Sequence, residues 1–462
     1  MIHSLLIALA PLVAAPQTEP ELPHIVLIVT DDLGYGDLGC YGQERLRTPN
    51  IDRLAAEGRR YTQFYAGSTV CAPSRCVLMT GLHTGHALIR GNGKQNLRPQ
   101  DVTLAEVLKA AGYRTGCFGK WGIGHEGSDG MPTRQGFDRF FGYLDQSHAH
   151  NFYPTFLIDG EQRFPLENVV PKPGKHGQGV ATVRKQYSHD LIVQRALDFL
   201  TEEAPGPVFL YLPWTLPHAN NEAGKRGMEV PDLGPFADSD WPEPEQGFAA
   251  MLSLIDRDVG RVLETLEDTG RGRDTLVLFT SDNGPHREGG HDASFFDSNG
   301  PLRGIKRSLH EGGIRVPLIA RWPGRVPAGT TSDHVAAFQD LMPTFAELAS
   351  TQEELPDEHD GLSMASDLFG REEGQATHED LYWAFYERGG GRALRAKNWK
   401  VIQQPMKDPP RLYDLERDLG EARDLSLERP ELLARLLARM DAAYEPSERW
   451  KLPAAAPPRR ED

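Results

Sequence analysis

The sequence predicts an α/β fold: a mostly parallel sheet flanked by helices, followed by a smaller C-terminal α+β subdomain with an antiparallel sheet and a terminal helix. Three observations predict it. Four apolar, β-rich runs alternate with segments whose apolar residues recur every three or four positions, the pattern of strand–helix–strand crossovers. Each run stops at polar or charged residues. From Pro323 onward the alternation gives way to short strand-like pieces and one amphipathic helix. A chain of 462 residues is long enough to bury both cores.

Taken in order, residues 5–15 form an apolar run too short to span a bilayer. The small residues Val13, Ala14 and Ala15 read as a signal-peptidase site. A signal peptide over 1–15 and an exported, periplasmic or secreted protein are therefore expected, with the cut position open because Pro16 follows directly. No other stretch reads as a membrane helix. The main domain is expected over 22–350, beginning with the buried strand 24–30, which ends at Asp31-Asp32. A Thr-x-x-Glu capping box, Thr103 to Glu106, opens a helix over 103–111. The weaker strand 114–119 leads into Lys120-Trp121, and 207–212 is followed by Trp214 and His218. Helices are expected over 190–202 and 246–266, and the last strong strand, 275–281, ends at Asp282-Asn283. In the subdomain, 351–452, an irregular connector to residue 379 precedes strand pieces at 381–386, 393–402 and 411–415. A helix over 430–444 follows, with Leu432, Leu433, Leu436, Leu437, Met440 and Tyr444 on a core-facing stripe. The tail 453–462 is expected to be disordered.

The formal net charge is -16, which excludes nucleic acid as a partner. An anionic substrate must instead be drawn by a local cluster of cationic side chains and metal. Four cysteines, Cys40, Cys71, Cys76 and Cys117, do not make a disulfide framework in a chain this long.

In parallel sheets, ligands bind outside the carboxyl ends of the strands. Here those ends carry Asp31-Asp32, Asp282-Asn283, His218 and Lys120. Three carboxylates in one crevice repel unless a cation joins them. An all-oxygen set suits a hard ion, Ca²⁺ first and Mg²⁺ second, over zinc. Either acidic pair alone also reads as a turn or helix cap.

The most specific signal is Cys71-x-Pro73-Ser74-Arg75 followed by Thr80-Gly81. Together with the acidic pairs it resembles the type I, formylglycine-dependent sulfatases, arylsulfatase-like and of a bacterial-type branch, within the alkaline phosphatase superfamily. The resemblance implies the alkaline phosphatase-like fold and the hydrolysis of a sulfate ester. It also implies that a maturation enzyme oxidises Cys71 to formylglycine before folding. Hydrated, that aldehyde offers one hydroxyl to attack sulfur and a second whose deprotonation expels sulfate. The resemblance puts Asp31, Asp32, Asp282 and Asn283 on Ca²⁺, with an oxygen from modified Cys71. It gives Arg75 the aldehyde hydrate, Lys120 and Lys306 the sulfate oxygens, and His218 the sulfate and leaving group. Where the family commonly has Lys-Trp-His, this chain has Gly122, and His150, His148 and His125, in that order, are candidates to take over its proton transfer.

A sulfated carbohydrate is the expected substrate, ahead of a small aryl sulfate, with Trp121, Trp214, Trp241 and Tyr153 as candidate sugar platforms. His286 and His291 read as solvated loop histidines. Two alternatives stay open: a phosphatase or phosphodiesterase of the same fold using two zinc ions, and a non-catalytic binder of sulfated glycans.

Overall fold

The run HIVLIVT forms β1 (His24–Thr30), buried from Ile25 onward. It is buried because strands pair with it in parallel on both sides. The computed structural model describes residues 22–371 and 373–459, so the expected signal peptide lies outside the described residues. The large sheet has eleven strands. After β1 come β2 (Arg59–Tyr65), β3 (Arg114–Lys120), β4 (Arg139–Tyr143), β5 (Phe156–Asp159), β6 (Gln162–Pro165), β7 (Val208–Pro213), β8 (Thr275–Ser281), β9 (Arg315–Arg321), β10 (Thr330–Ser332) and β11 (Ala336–Ala337). Their order is β10-β2-β9-β8-β1-β7-β3-β4-β5-β6, with β11 also on β2.

The four strands legible in the sequence are the sheet's centre. β1 pairs in parallel with β7 and β8, and β3 in parallel with β7 and β4. Antiparallel pairing is confined to the flanks, where β9 joins β8 to β2 and β5 joins β4 to β6. Alternate residues of β1 feed opposite layers. Val26 and Ile28 pack with helices Ser188–Thr201 and Glu243–Asp268, while Ile25, Leu27 and Val29 face Cys71–Thr80, Leu104–Ala110 and Leu341–Leu348. Each such aliphatic side chain contributes roughly 1.5–3 kcal/mol on burial. The predicted capping box is complete: Glu106 N–H donates to Thr103 Oγ1 at 3.3 Å, and Thr103 N–H to Glu106 Oε2 at 2.8 Å.

The small sheet is antiparallel, β12 (Leu381–Phe385), β13 (Gly391–Ala396), β14 (Trp399–Gln403) and β15 (Arg411–Asp414). The stretch 393–402, expected as one piece, is a hairpin that turns at Lys397, whose φ is 53°. One face of the sheet, through Trp383, Ile402 and Tyr413, packs on Tyr65 and Leu309 of the large domain. The other takes helix Pro430–Ala442 through Leu433, Leu436 and Met440.

The connector before residue 379 is largely irregular, yet Met364 and Leu368 anchor it in the large domain's core. One expectation is corrected. The tail is docked as far as it is described: Ala456 N–H donates to Met406 O at 2.9 Å and Gln403 Nε2 to Ala456 O at 2.8 Å. No helix among the described residues is long and apolar enough to cross a membrane.

Candidate active site

The carboxyl ends of β1, β8, β7 and β3 open into one crevice, closed from the side by the start of helix Cys71–Thr80. That helix begins at Cys71 itself, five residues earlier than its apolar run suggests, with Pro73 in the first turn where no N–H is missed. Gly81, at φ 68°, ends it, donating its N–H to Val77 O at 2.9 Å. Cys71 is buried at 2% exposure, its Sγ 3.2 Å from Asp31 Oδ1. Ligand atoms of Asp31, Asp32, Cys71 and Asp282 all lie within 4.8 Å of one another. Residues from three distant parts of the chain thus form one cluster, and Asn283 joins it, donating from Nδ2 to Asp32 Oδ1 at 2.7 Å.

Cations answer these carboxylates one for one. Lys120 Nζ donates to Asp31 Oδ2 at 2.6 Å and Lys306 Nζ to Asp32 Oδ2 at 2.7 Å. Arg75 donates to Asp282 Oδ2 from Nε at 3.1 Å and Nη2 at 2.8 Å, and also to the Lys120 carbonyl. Its guanidinium therefore bridges Asp282 and, at 3.5 Å, Asp31. His218 donates from Nδ1 to the Ala219 carbonyl at 2.7 Å, which leaves Nε2, 3.1 Å from Lys306 Nζ, as an acceptor.

Burial works against every charge here, and the neighbours decide each outcome. Burial would raise Asp31, but Lys120 foremost holds its carboxyl well below the ordinary range. Asp32 is pushed up to about 7, burial and the adjacent carboxylates outweighing Lys306. Burial, then Lys306, keeps His218 neutral far below its usual value. Burial also opposes Lys306, but Asp32 and Glu288 keep it charged.

A divalent cation fits this donor set. Asn283 Oδ1 is buried without a hydrogen-bond partner, a condition that costs on the order of 1–3 kcal/mol unless something takes up the lone pair. The oxygens of Asp31, Asp32, Asp282 and Asn283 are hard donors. The pocket's own charges cancel, so only a bound cation leaves it attractive to an anion.

Two residues were missed from the sequence. Glu288 Oε2 lies 3.0 Å from Lys306 Nζ and 3.7 Å from His218 Nε2, and its Oε1 pairs with Arg307 at 2.6 Å. The Lys306 ammonium thus sits amid Asp32, His218 and Glu288, where a second cation would otherwise go. Gln146 is the other. Gly122 has φ 82°, and a Cβ there would collide with Gln146 Nε2, which also donates to the Gly122 carbonyl at 3.3 Å. Gln146 fills the space a side chain at 122 would take. Neither residue carries a local signal, because loop geometry alone brings them in.

The candidate histidines separate. The His150 ring stacks on His218 at 4.9 Å, its Nδ1 3.3 Å from Glu222. His125 and His148 instead line a distinct void of about 50 Å³ beside Asp145 and His176. Burial depresses both, His148 to about 4. His286 and His291 are buried, not solvated: His286 Nε2 faces Pro217 O at 3.1 Å and His291 Nδ1 faces Glu245 at 2.6 Å. Trp121, Trp214 and Tyr153 are core residues, and Trp241 packs among Phe236, Phe295 and Phe296, so none is a free sugar platform.

Residues 23–351 match the sulfatase family model, and 304–443 match the model described as N-sulphoglucosamine sulphohydrolase, C-terminal. The chain is 34% identical to arylsulfatase A of Homo sapiens, covering 91% of this chain and 85% of that one. It is 32% identical to N-acetylgalactosamine-6-sulfatase of Canis lupus familiaris, over 80% of this chain and 69% of that one. The solved structure of Ps i-CgsB in complex with k-i-k-neocarrahexaose superposes with a TM-score of 0.77 at 27% identity, covering 91% of this chain and 92% of the other.

Proposed function

The chain belongs to the sulfatase family, with its alkaline phosphatase-like fold, and on that premise we propose that it hydrolyses the sulfate ester of a carbohydrate through a formylglycine hydrate made from Cys71. The observation that carries the proposal is Cys71 at the head of its helix, inside the acidic cluster and between Lys120 and Lys306. In the mature protein, the hydrate oxygens would stand where the thiol sulfur now lies. The hydrate supplies a nucleophilic hydroxyl and a second hydroxyl through which sulfate is released. A bound Ca²⁺, held by Asp31, Asp32, Asp282 and Asn283, would supply positive charge to the sulfate oxygens. Because Cys71 and Arg75 are buried at 2% and 1%, a maturation enzyme would have to read this segment before folding.

The chain's own groups divide the remaining work. Lys120 and Lys306 neutralise sulfate oxygens from opposite sides. Lys306, kept charged by Asp32 and Glu288, would protonate the leaving oxygen, and neutral His218, whose Nε2 lies 3.1 Å from its ammonium, would hold it in place. Arg75 fixes Asp282 and Asp31 against their mutual repulsion. Placing Lys306 where a second metal would sit supports a one-metal sulfatase over a two-zinc phosphatase. The complete cationic set supports catalysis over glycan binding alone.

The carbohydrate assignment draws on relatives named N-acetylgalactosamine-6-sulfatase and on a neighbour solved in complex with k-i-k-neocarrahexaose. Export remains part of the proposal, resting on the N-terminal run. Mass spectrometry of the peptide containing Cys71 tests the chemistry: the expected product has lost H₂S and gained one oxygen relative to cysteine. Purified protein should release inorganic sulfate from N-acetylgalactosamine 6-sulfate and far less phosphate from the matching ester. An unmodified thiol in active protein would refute the nucleophile.

A further inference from the structure

An ammonium has three hydrogens to give, and Lys306 has an acceptor for each. Asp32 Oδ2 lies 2.7 Å from its Nζ, Glu288 Oε2 3.0 Å and His218 Nε2 3.1 Å. An oxygen of a sulfate ester is therefore served only when one acceptor lets go. Asp32 is the one with a competitor, because it sits among the oxygens that fit a divalent cation.

Glu288 is built to hold on. Its Oε1 pairs with Arg307 at 2.6 Å while Oε2 takes Lys306, so one carboxylate grips two successive cations. The loop behind it is stapled to the His218 loop through a buried ring. His286 Nδ1 accepts from the Glu288 N–H at 3.0 Å, which leaves its Nε2 to donate to Pro217 O at 3.1 Å. A single tautomer satisfies both bonds. Gly289, at φ 68°, presses on the same loop, and a Cβ there would fall 2.5 Å from Ala219 Cβ. Lys306 closes the circuit by donating its own backbone N–H to Pro285 O at 2.8 Å. Glu288, His218 and Lys306 are thus fixed relative to one another without help from Asp32.

We propose that Glu288 is the positioning residue for Lys306, and that His286 sets Glu288 beside His218. The proposal rests on the sulfatase reading above, in which Lys306 protonates the leaving oxygen. It names what keeps that donor in place once Asp32 turns to the cation. As the S–O bond breaks, its electron pair stays on the ester oxygen, which takes a proton from Lys306 Nζ. The ammonium is restored by the proton that the attacking hydroxyl gives up.

The test compares calcium-loaded wild type with Glu288→Ala on p-nitrophenyl sulfate and N-acetylgalactosamine 6-sulfate. Nitrophenolate departs with little need of a proton, whereas a sugar alkoxide needs one. E288A is expected to lose roughly a hundredfold in kcat on the sugar sulfate and roughly tenfold at most on the aryl ester. Equal losses on the two esters, or no loss on the sugar sulfate, overturn the proposal. A crystal structure of calcium-loaded wild type with inorganic sulfate gives a readout that needs no turnover. There, Lys306 Nζ is expected within hydrogen-bond distance of Glu288, His218 and a sulfate oxygen, with Asp32 released. Lys306 kept on Asp32, or parted from Glu288, overturns the proposal. If wild type leaves either ester intact, the sulfatase or the carbohydrate reading has failed, and the position of Lys306 in the crystal alone decides the proposal.

Discussion

At the scale of single residues, Cys71 carries the chemistry. Cys71→Ser keeps one hydroxyl but removes the second that expels sulfate, so turnover should fall by roughly three orders of magnitude or more. Intact-mass measurement after incubation with substrate should show one sulfate retained on the protein, and a fully active variant would refute the assignment. Gly122 makes a different prediction. Its φ of 82° costs a residue with a Cβ about 1–2 kcal/mol, and Gln146 must also move. Gly122→Ala should therefore lower the thermal midpoint, whereas Gln146→Gly in the same background should recover part of the loss. Legibility follows from how each residue is held. Asp31, Asp282, Lys120 and His218 could be read because each sits at the end of a strand visible as an apolar run. Cys71, Arg75 and Lys306 could be read from short motifs. Glu288 and Gln146 could not, because nothing near them in the chain fixes where their loops return.

At the scale of elements, β1 and β8 were legible as unbroken apolar runs, and β2 and β9 were not. β2 reads RRYTQFY, with Arg60, Thr62 and Gln63 on its less buried positions. β9 begins and ends in arginine and contains Pro317, and its charges are tolerated because Arg315 pairs with Glu311 and Arg321 with Glu57. The same helix residue, Glu311, enters the buried seam between the two sheets, where Lys400 on β14 reaches Glu311 at 2.7 Å and Glu421 at 3.2 Å. Burial pushes Glu421 up to about 7, while Lys400 and Arg315 outweigh burial and hold Glu311 down to about 2. Glu421 is thus protonated when folded at pH values where the unfolded chain, near its ordinary 4.5, is not. Its contribution is complete below about 4.5 and lost as pH rises through about 7. Glu311 has the opposite sign, its contribution being present above its ordinary 4.5 and lost as pH falls through about 2. The Glu421 effect is on the order of 3 kcal/mol at most, shared across the pair. Between about pH 5 and pH 8, wild type should lose thermal stability relative to Glu421→Gln. Parallel pH profiles for the two proteins would mean Glu421 is ionised in the fold.

At the scale of the whole molecule, the acidic cluster joins β1, β8 and helix Cys71–Thr80 from positions 31, 71 and 282, so whatever binds it reports on the assembly of the entire large domain. The carboxylates have protein partners besides any cation: Lys120 and Lys306 pair with Asp31 and Asp32 at 2.6 Å and 2.7 Å, and only the Asn283 Oδ1 lone pair is left without one. Removing the metal should therefore leave the protein folded. It should also leave it inactive, since the same lysines are then spent on carboxylates and the pocket has no net attraction for sulfate. A ligand present at a hundredfold its Kd stabilises by about 2.7 kcal/mol, a few degrees in thermal midpoint for a chain of this size. Chelation should cost that much midpoint and nearly all sulfate release, with the circular dichroism spectrum unchanged. Ca²⁺ should restore both quantities, Mg²⁺ partly, and Zn²⁺ neither, because the donors are oxygens that favour a hard ion with a flexible shell. Recovery by Zn²⁺ alone would transfer the site to the phosphatase alternative. Chelation without effect on midpoint or activity would mean that the lysines, and no metal, are the resident partners of these carboxylates.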